Sequence, residues 1–290
     1  MSAEAIARGL GLKRSGNDWI GACPSCGYRS GFSVTERDGK LLVHCAVGKC
    51  DWTAIRGALV KLGLMREEPA QMPAKPRAKK DTGEQARGLW NRSVPAATSS
   101  GTTIVVDYFR VARDITTPIP SNVLHFVPDC WHRSGVKAPA MIALVEHQVN
   151  GPVAVHRTWL KPDGTGKADL DPNKMTLGPS AGAAIRLAPI GPNGELGVAE
   201  GIEDALSYMQ LKGIPTWSAL TAGGIERLIL PPEARIIYVA LDNDAVGLKA
   251  AQNAARRWLG EGRRVFFAKP PIGKDWNETL CALTHEGAAA

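Results

Sequence analysis

An apolar run, IIYVAL at residues 236–241, stops abruptly at Asp242-Asn243-Asp244, and an Ala/Lys-rich helical pattern follows. Side chains two apart in an extended segment share a face, so Asp242 and Asp244 point together just past a strand end. Two like charges held that way are unfavourable unless a cation lies between them or one is protonated. Hard divalent cations are bound by such oxygen ligands. Glu200 ends a second apolar run, LGVAE, and Asp204 lies four residues on, in the first turn of a helical pattern. Asp275, beside Lys274, follows a third run, RRVFFAKPP. The triplet 242–244 alone also fits a turn with a helix cap. Acids after three separate strands favour a metal site at the carboxyl ends of an open sheet, where such folds bind ligands.

A second set of residues suits softer chemistry. Cys23-Pro-Ser-Cys26-Gly precedes Cys45-Ala-Val-Gly-Lys-Cys50, and GFSVTERDGKLLVH between them reads as a hairpin turning at Asp38-Gly39. Paired cysteines on two turns joined by a hairpin predict a zinc ribbon with one structural zinc on Cys23, Cys26, Cys45 and Cys50, because four thiolates leave no open position. His44 is an alternative ligand, although neighbours in a strand point oppositely. Cys130 and Cys281 are isolated and read as packing residues. Trp19, Trp52 and Phe32 are candidates for stacking on single-strand bases, with Trp52 expected in the small core.

The elements that position these groups are legible as pattern. Residues 1–65 form the ribbon domain, and residues 66–85, rich in Pro, Ala and Lys, a basic linker. Residues 86–195 form a mixed α/β subdomain. Its Val105, Tyr108, Phe109 and Ala112 share one helical face, and AMIALVEH, PVAVHRTWL and AAIRLAPI read as strands. Residues 196–290 alternate strand and helix, which predicts a mainly parallel sheet flanked by helices. The fold class is therefore α/β. The 290 residues carry 35 Lys and Arg against 28 Asp and Glu, a net charge of +7 that suits a polyanionic partner. No apolar run is long enough to span a membrane, no secretory signal begins the chain, and a cytoplasmic location is expected.

AEGIEDAL, ALDNDAVGLKAA and GKDWNETL together resemble a Toprim domain. With the ribbon in front, the chain resembles DnaG-type DNA primases, particularly the compact forms of phages and mobile elements. The resemblance implies primer synthesis with Glu200, Asp242 and Asp244 as catalytic residues. It implies about two Mg²⁺ or Mn²⁺ ions held by Glu200, Asp204, Asp242, Asp244 and Asp275. It implies single-stranded DNA template, nucleoside triphosphates and a replicative helicase in trans as partners. Asn277 departs from the family, in which an aspartate is usual. Lys174, Arg157, Lys161, Arg186 and Lys274 are candidates for binding template or nucleotide. A Toprim nuclease or strand-cleaving enzyme and a non-catalytic single-stranded-DNA-binding module are the alternatives. The former would need a tyrosine from among Tyr28, Tyr108, Tyr208 and Tyr238 if it cleaved as a topoisomerase.

Overall fold

The computed structural model describes residues 2–37, 40–46, 50–65, 81–99 and 101–289. The chain divides into two compact units, Met1–Ala78 and Lys79–Ala290. The first opens with helix α1 (Ala3–Leu10), capped by the Ser2 side chain and closed by Gly11 in the left-handed region that glycine tolerates. Strands β1 (Lys13–Ser15), β2 (Asp18–Gly21), β3 (Phe32–Arg37) and β4 (Lys40–Cys45) pair in order as one antiparallel sheet. Helix α2 (Trp52–Lys61) follows its Asp51 cap. Ile6, Phe32, Val34, Ile55 and Leu59 are the core. Arg37 pairs with Lys40, the register of a two-residue hairpin, while Asp38 and Gly39 themselves lie outside the described residues.

Residues 66–80 of the expected linker also lie outside the described residues. Residues 81–85 are not linker. Asp81 accepts the Gly83 and Glu84 N–H groups and starts helix α3 (Thr82–Arg92), which buries Ala86 and Leu89. Short strands β5 (Val94–Pro95), β6 (Ala97–Thr98) and β7 (Gly101–Thr102) lead to helix α4 (Ile104–Arg113). On α4, Val105, Tyr108 and Phe109 are buried on the face that the sequence assigned to them.

Strands β8 (Leu124–Trp131), β9 (Lys137–His147), β10 (Gly151–Trp159) and β11 (Lys174–Leu177) then form an antiparallel sheet in the order β11-β10-β9-β8-β5. Period-two alternation sorts it into two cores. Met141, Ala143 and Ala154 pack with α4, and Ile142, Val155 and Trp159 pack with α3. The expected strand AAIRLAPI is shorter than predicted. Only β12 (Ala183–Ala184) pairs with β9, and Ile185 bridges to Ser218. Pro189 lacks the N–H that a ladder needs.

The remaining elements are β13 (Glu195–Ala199), α5 (Ile202–Lys212), β14 (Thr216–Ser218), α6 (Ala222–Arg227), β15 (Ile236–Ala240), α7 (Ala245–Gly260), β16 (Arg264–Ala268) and α8 (Trp276–Ala289). The strands form an all-parallel sheet in the order β14-β13-β15-β16. Residues of α5 and α8 pack in one core and residues of α6 and α7 in another, which covers both faces as a parallel sheet requires. Among the described residues no helix is long and apolar enough to cross a membrane.

Candidate active site

Register places the acids. Ala199 pairs with Ser218 and Ala240, and Ala240 with Ala268, so the strands end level with one another. Glu200 and Asp242 leave the sheet within two residues of that line. The Ser218 hydroxyl donates to the Glu200 carbonyl at 2.8 Å and steadies the exit of β13. Asp244 caps α7, its Oδ1 accepting the Gly247 N–H at 2.7 Å, and Asp275 Oδ1 accepts the Glu278 N–H at 2.8 Å. Each cap occupies Oδ1 of a two-oxygen group. Asn243 fastens the loop that carries Lys274 and Asp275. Its backbone N–H donates to the Lys274 carbonyl at 2.7 Å, and its side-chain amide donates to the Gly273 carbonyl at 2.9 Å.

These acids feel one another. Burial, then Glu200, Asp275 and Asp244, push Asp242 up to about 6. Burial, then Asp275, Asp242 and Glu203, push Asp204 up to about 7. Glu200 is raised by burial and by Asp244, against the pull of Lys174 and Lys274. Asp242 Oδ1 is buried without a hydrogen-bond partner, an arrangement that a cation would satisfy.

This electrostatics has a pH signature. A carboxylate raised in the folded state contributes stability that is full below its unfolded value near 4 and is lost as pH rises through the folded value. Glu203 works oppositely below about 4.5, where its own depressed value comes into play, and His156, which burial holds at about 4, works oppositely between about 4 and 6.5. In chelator, the melting temperature of the Lys79–Ala290 unit is therefore expected to change little up to about pH 6 and to fall between about pH 6 and 7, where Asp204 still titrates and His156 no longer compensates. Added Mg²⁺ should reverse the fall above pH 7. Calorimetry across that range checks both.

The basic candidates separate. Lys174 is exposed on β11, and Lys274 is exposed beside Asp275; both act electrostatically on Glu200. Arg157 does not join them. It is 7% exposed, stacks 5.1 Å over the Trp159 ring, and pairs in register with Met175 rather than Lys174. It therefore faces the α3 side of the sheet, opposite to Lys174. Arg186 lies 4.7 Å over the Trp217 ring, donates to Gln148, and lines a cleft of about 1190 Å³ with Glu233 and Arg235. Gly194 and Arg235 place that cleft where β13 and β15 begin, the end of the sheet away from the acids. Lys161 is half-buried and acts electrostatically on Asp163.

In the N-terminal unit the sulfurs of Cys23, Cys26, Cys45 and Cys50 all lie within 4.8 Å of one another. Those of Cys26 and Cys45 are 3.8 Å apart, and tetrahedral zinc with bonds of about 2.3 Å requires about 3.8 Å. None of the six cysteines is in a disulfide. Desolvation and the neighbouring thiols raise the Cys23 thiol, a crowding that a thiolate-binding cation reverses. His44 is exposed and outside the set. Phe32 is fully buried and not open to stacking, while Trp52, expected in the core, is 45% exposed at the start of α2.

Residues 195–286 match the Toprim domain family. The C-terminal segment is a Toprim domain. Residues 80–187 match a domain of unknown function, DUF7146. Among solved structures, the primase fragment of the bacteriophage T7 primase-helicase protein is similar at 19% identity. The likeness spans 92% of this chain and 95% of that one, with a TM-score of 0.41. The Aquifex aeolicus primase, comprising zinc-binding and RNA polymerase domains, is similar at 13% identity over 100% of this chain and 84% of that one, with a TM-score of 0.35. No curated protein matches in sequence.

Within the Toprim domain, one acid was missed. Glu203 and Asp204 are adjacent on α5, about 100° apart, so they cannot both face the strand ends. Glu203 turns the other way. Its Oε1 accepts the Tyr108 hydroxyl at 2.7 Å and pairs with Lys167 Nζ at 2.9 Å. Burial alone would raise it, but Lys167 and Tyr108 prevail and hold it at about 2. The signal available in sequence was the doubled acid itself. Asn277, the departure from the family pattern, is 5% exposed, and its amide donates to the Arg113 carbonyl at 2.8 Å and to Ser207 Oγ at 3.0 Å.

Proposed function

We propose that the protein is a DNA primase that makes short primers on single-stranded DNA by metal-dependent nucleotidyl transfer. The observation that supports this most is the group of mutually repelling acids after three aligned parallel strands, with Lys174 and Lys274 at its margin. Glu200, Asp242 and Asp244 are the proposed catalytic residues, with Asp204 and Asp275 completing a Mg²⁺ or Mn²⁺ site. When bound there, about two such ions supply charge neutralisation and orient the oxygens of an in-line displacement at phosphorus. In that displacement a primer 3′-hydroxyl oxygen bonds to the α-phosphorus of a nucleoside triphosphate, and the bond to pyrophosphate breaks. Lys174 and Lys274 offset triphosphate charge that the acids would otherwise repel. Asn243 ties the loop that carries Asp275 to the end of β15.

The cysteine set supports one structural zinc, with the ribbon's role proposed as selecting where on the template synthesis begins. A helicase acting in trans is the proposed protein partner. Within the Lys79–Ala290 unit no tyrosine supports strand cleavage at the acids: Tyr208 is buried, Tyr238 stacks on Phe266, and Tyr108 is bound to Glu203, while the exposed Tyr28 belongs to the N-terminal unit. The test is incorporation of labelled nucleotides on a single-stranded template library. Mg²⁺-dependent short products are expected. Nicking or relaxation of supercoiled DNA without incorporation would overturn the proposal.

A further inference from the structure

Helix α4 precedes the Toprim domain in the chain, yet two of its side chains end inside that domain. Tyr108 donates to Glu203 at 2.7 Å and accepts from Arg113 Nε at 3.0 Å. Arg113 Nη1 reaches Asn277 Oδ1 at 3.4 Å, and the Asn277 amide returns a bond to the Arg113 carbonyl. The Asn277 backbone N–H then donates to Asp204 Oδ1 at 3.3 Å. One hydrogen-bonded path thus runs from α4 through the first turns of α5 and α8 to a carboxylate of the cluster. Tyr108 and Asn277 are buried, so water cannot replace these partners cheaply.

We infer that Tyr108 and Arg113 are positioning residues for the carboxylate cluster: they lock the first turns of α5 and α8 together and so fix Asp204 relative to Asp275. The Toprim segment does not complete its own site; the preceding segment does. The inference rests on the nucleotidyl-transfer reading. It also accounts for the amide at position 277. An aspartate there would lose both donated side-chain bonds and set another charge beside Asp204.

The test is primer synthesis by the full chain as a function of Mg²⁺. Tyr108→Phe keeps the ring and removes one oxygen. The Mg²⁺ needed for half-maximal rate is expected to rise about tenfold, with the saturated rate within about twofold of wild type, as for loss of a group supporting a metal ligand. Arg113→Lys, which loses the fork to Asn277, should shift in the same direction. Val111→Ala, on the exposed side of α4, should not shift. A purely structural role would lower the saturated rate with the folded fraction and leave the half-maximal Mg²⁺ unchanged. That result in folded variants overturns the inference, as does unfolding of both. A wild-type protein that makes no primer with Mg²⁺ or Mn²⁺ instead overturns the underlying reading.

Discussion

Asp242→Asn leaves a folded protein that synthesises primers about a thousandfold more slowly. The amide has the shape of the carboxylate, so packing at the end of β15 is kept. It removes a charge that Glu200, Asp275 and Asp244 all oppose, so thermal stability without metal should hold or rise. What is lost is charge for the ions. Metal catalysis supplies several kcal/mol of transition-state stabilisation, and about 4 kcal/mol corresponds to a thousandfold. Asp244→Asn should lose activity similarly without losing its helix, because asparagine caps α7 about as well. Glu200→Gln should follow the same pattern. Template binding should survive in all three, since it rests on basic groups. The measurement is primer yield at saturating Mg²⁺ beside the melting temperature. A folded Asp242→Asn protein working near the wild-type rate would reduce the acids to a turn and two caps.

Zinc removal, or Cys45→Ser, unfolds the N-terminal unit and leaves the Lys79–Ala290 unit folded. The N-terminal core is small: Ile6, Phe32, Val34, Ile55 and Leu59, with Cys23 and Cys45 themselves among its buried residues. A unit of this size rarely gains more than a few kcal/mol from its core, whereas a structural zinc contributes about 10–16 kcal/mol of apparent folding free energy. Chelator should abolish the β-sheet signal of the ribbon and release about one zinc per chain. Synthesis started from template sites should fall with it, while extension of a supplied primer persists. A metal-free chain whose ribbon amides keep their dispersion would overturn the assignment.

The groupings that depend on short-range pattern were legible in the sequence. Paired cysteines on tight turns must approach one another wherever the unit lies, because chain geometry between Cys23 and Cys26 allows little else. Apolar runs ending in acids marked the ends of β13 and β15, because these central strands are buried on both faces and must be almost continuously apolar. Tertiary packing decided which charges face which side. Arg157 and Thr158 are neighbours on β10, and only the pairing with β11 and the helix packed on each face put Lys174 with the acids and Arg157 over Trp159. Glu203 and Asp204 are both acids in one turn. The direction of each depends on Tyr108 and Lys167, which lie 95 and 36 residues earlier in the chain. Asn277 reads in sequence as a departure from the aspartate usual in the family, and only its burial against Arg113 and Ser207 shows that its amide donates to the Arg113 carbonyl and to Ser207 Oγ. Periodicity records whether a side chain is buried. It does not record what the side chain is buried against, because that partner comes from a distant segment whose approach only the completed fold determines.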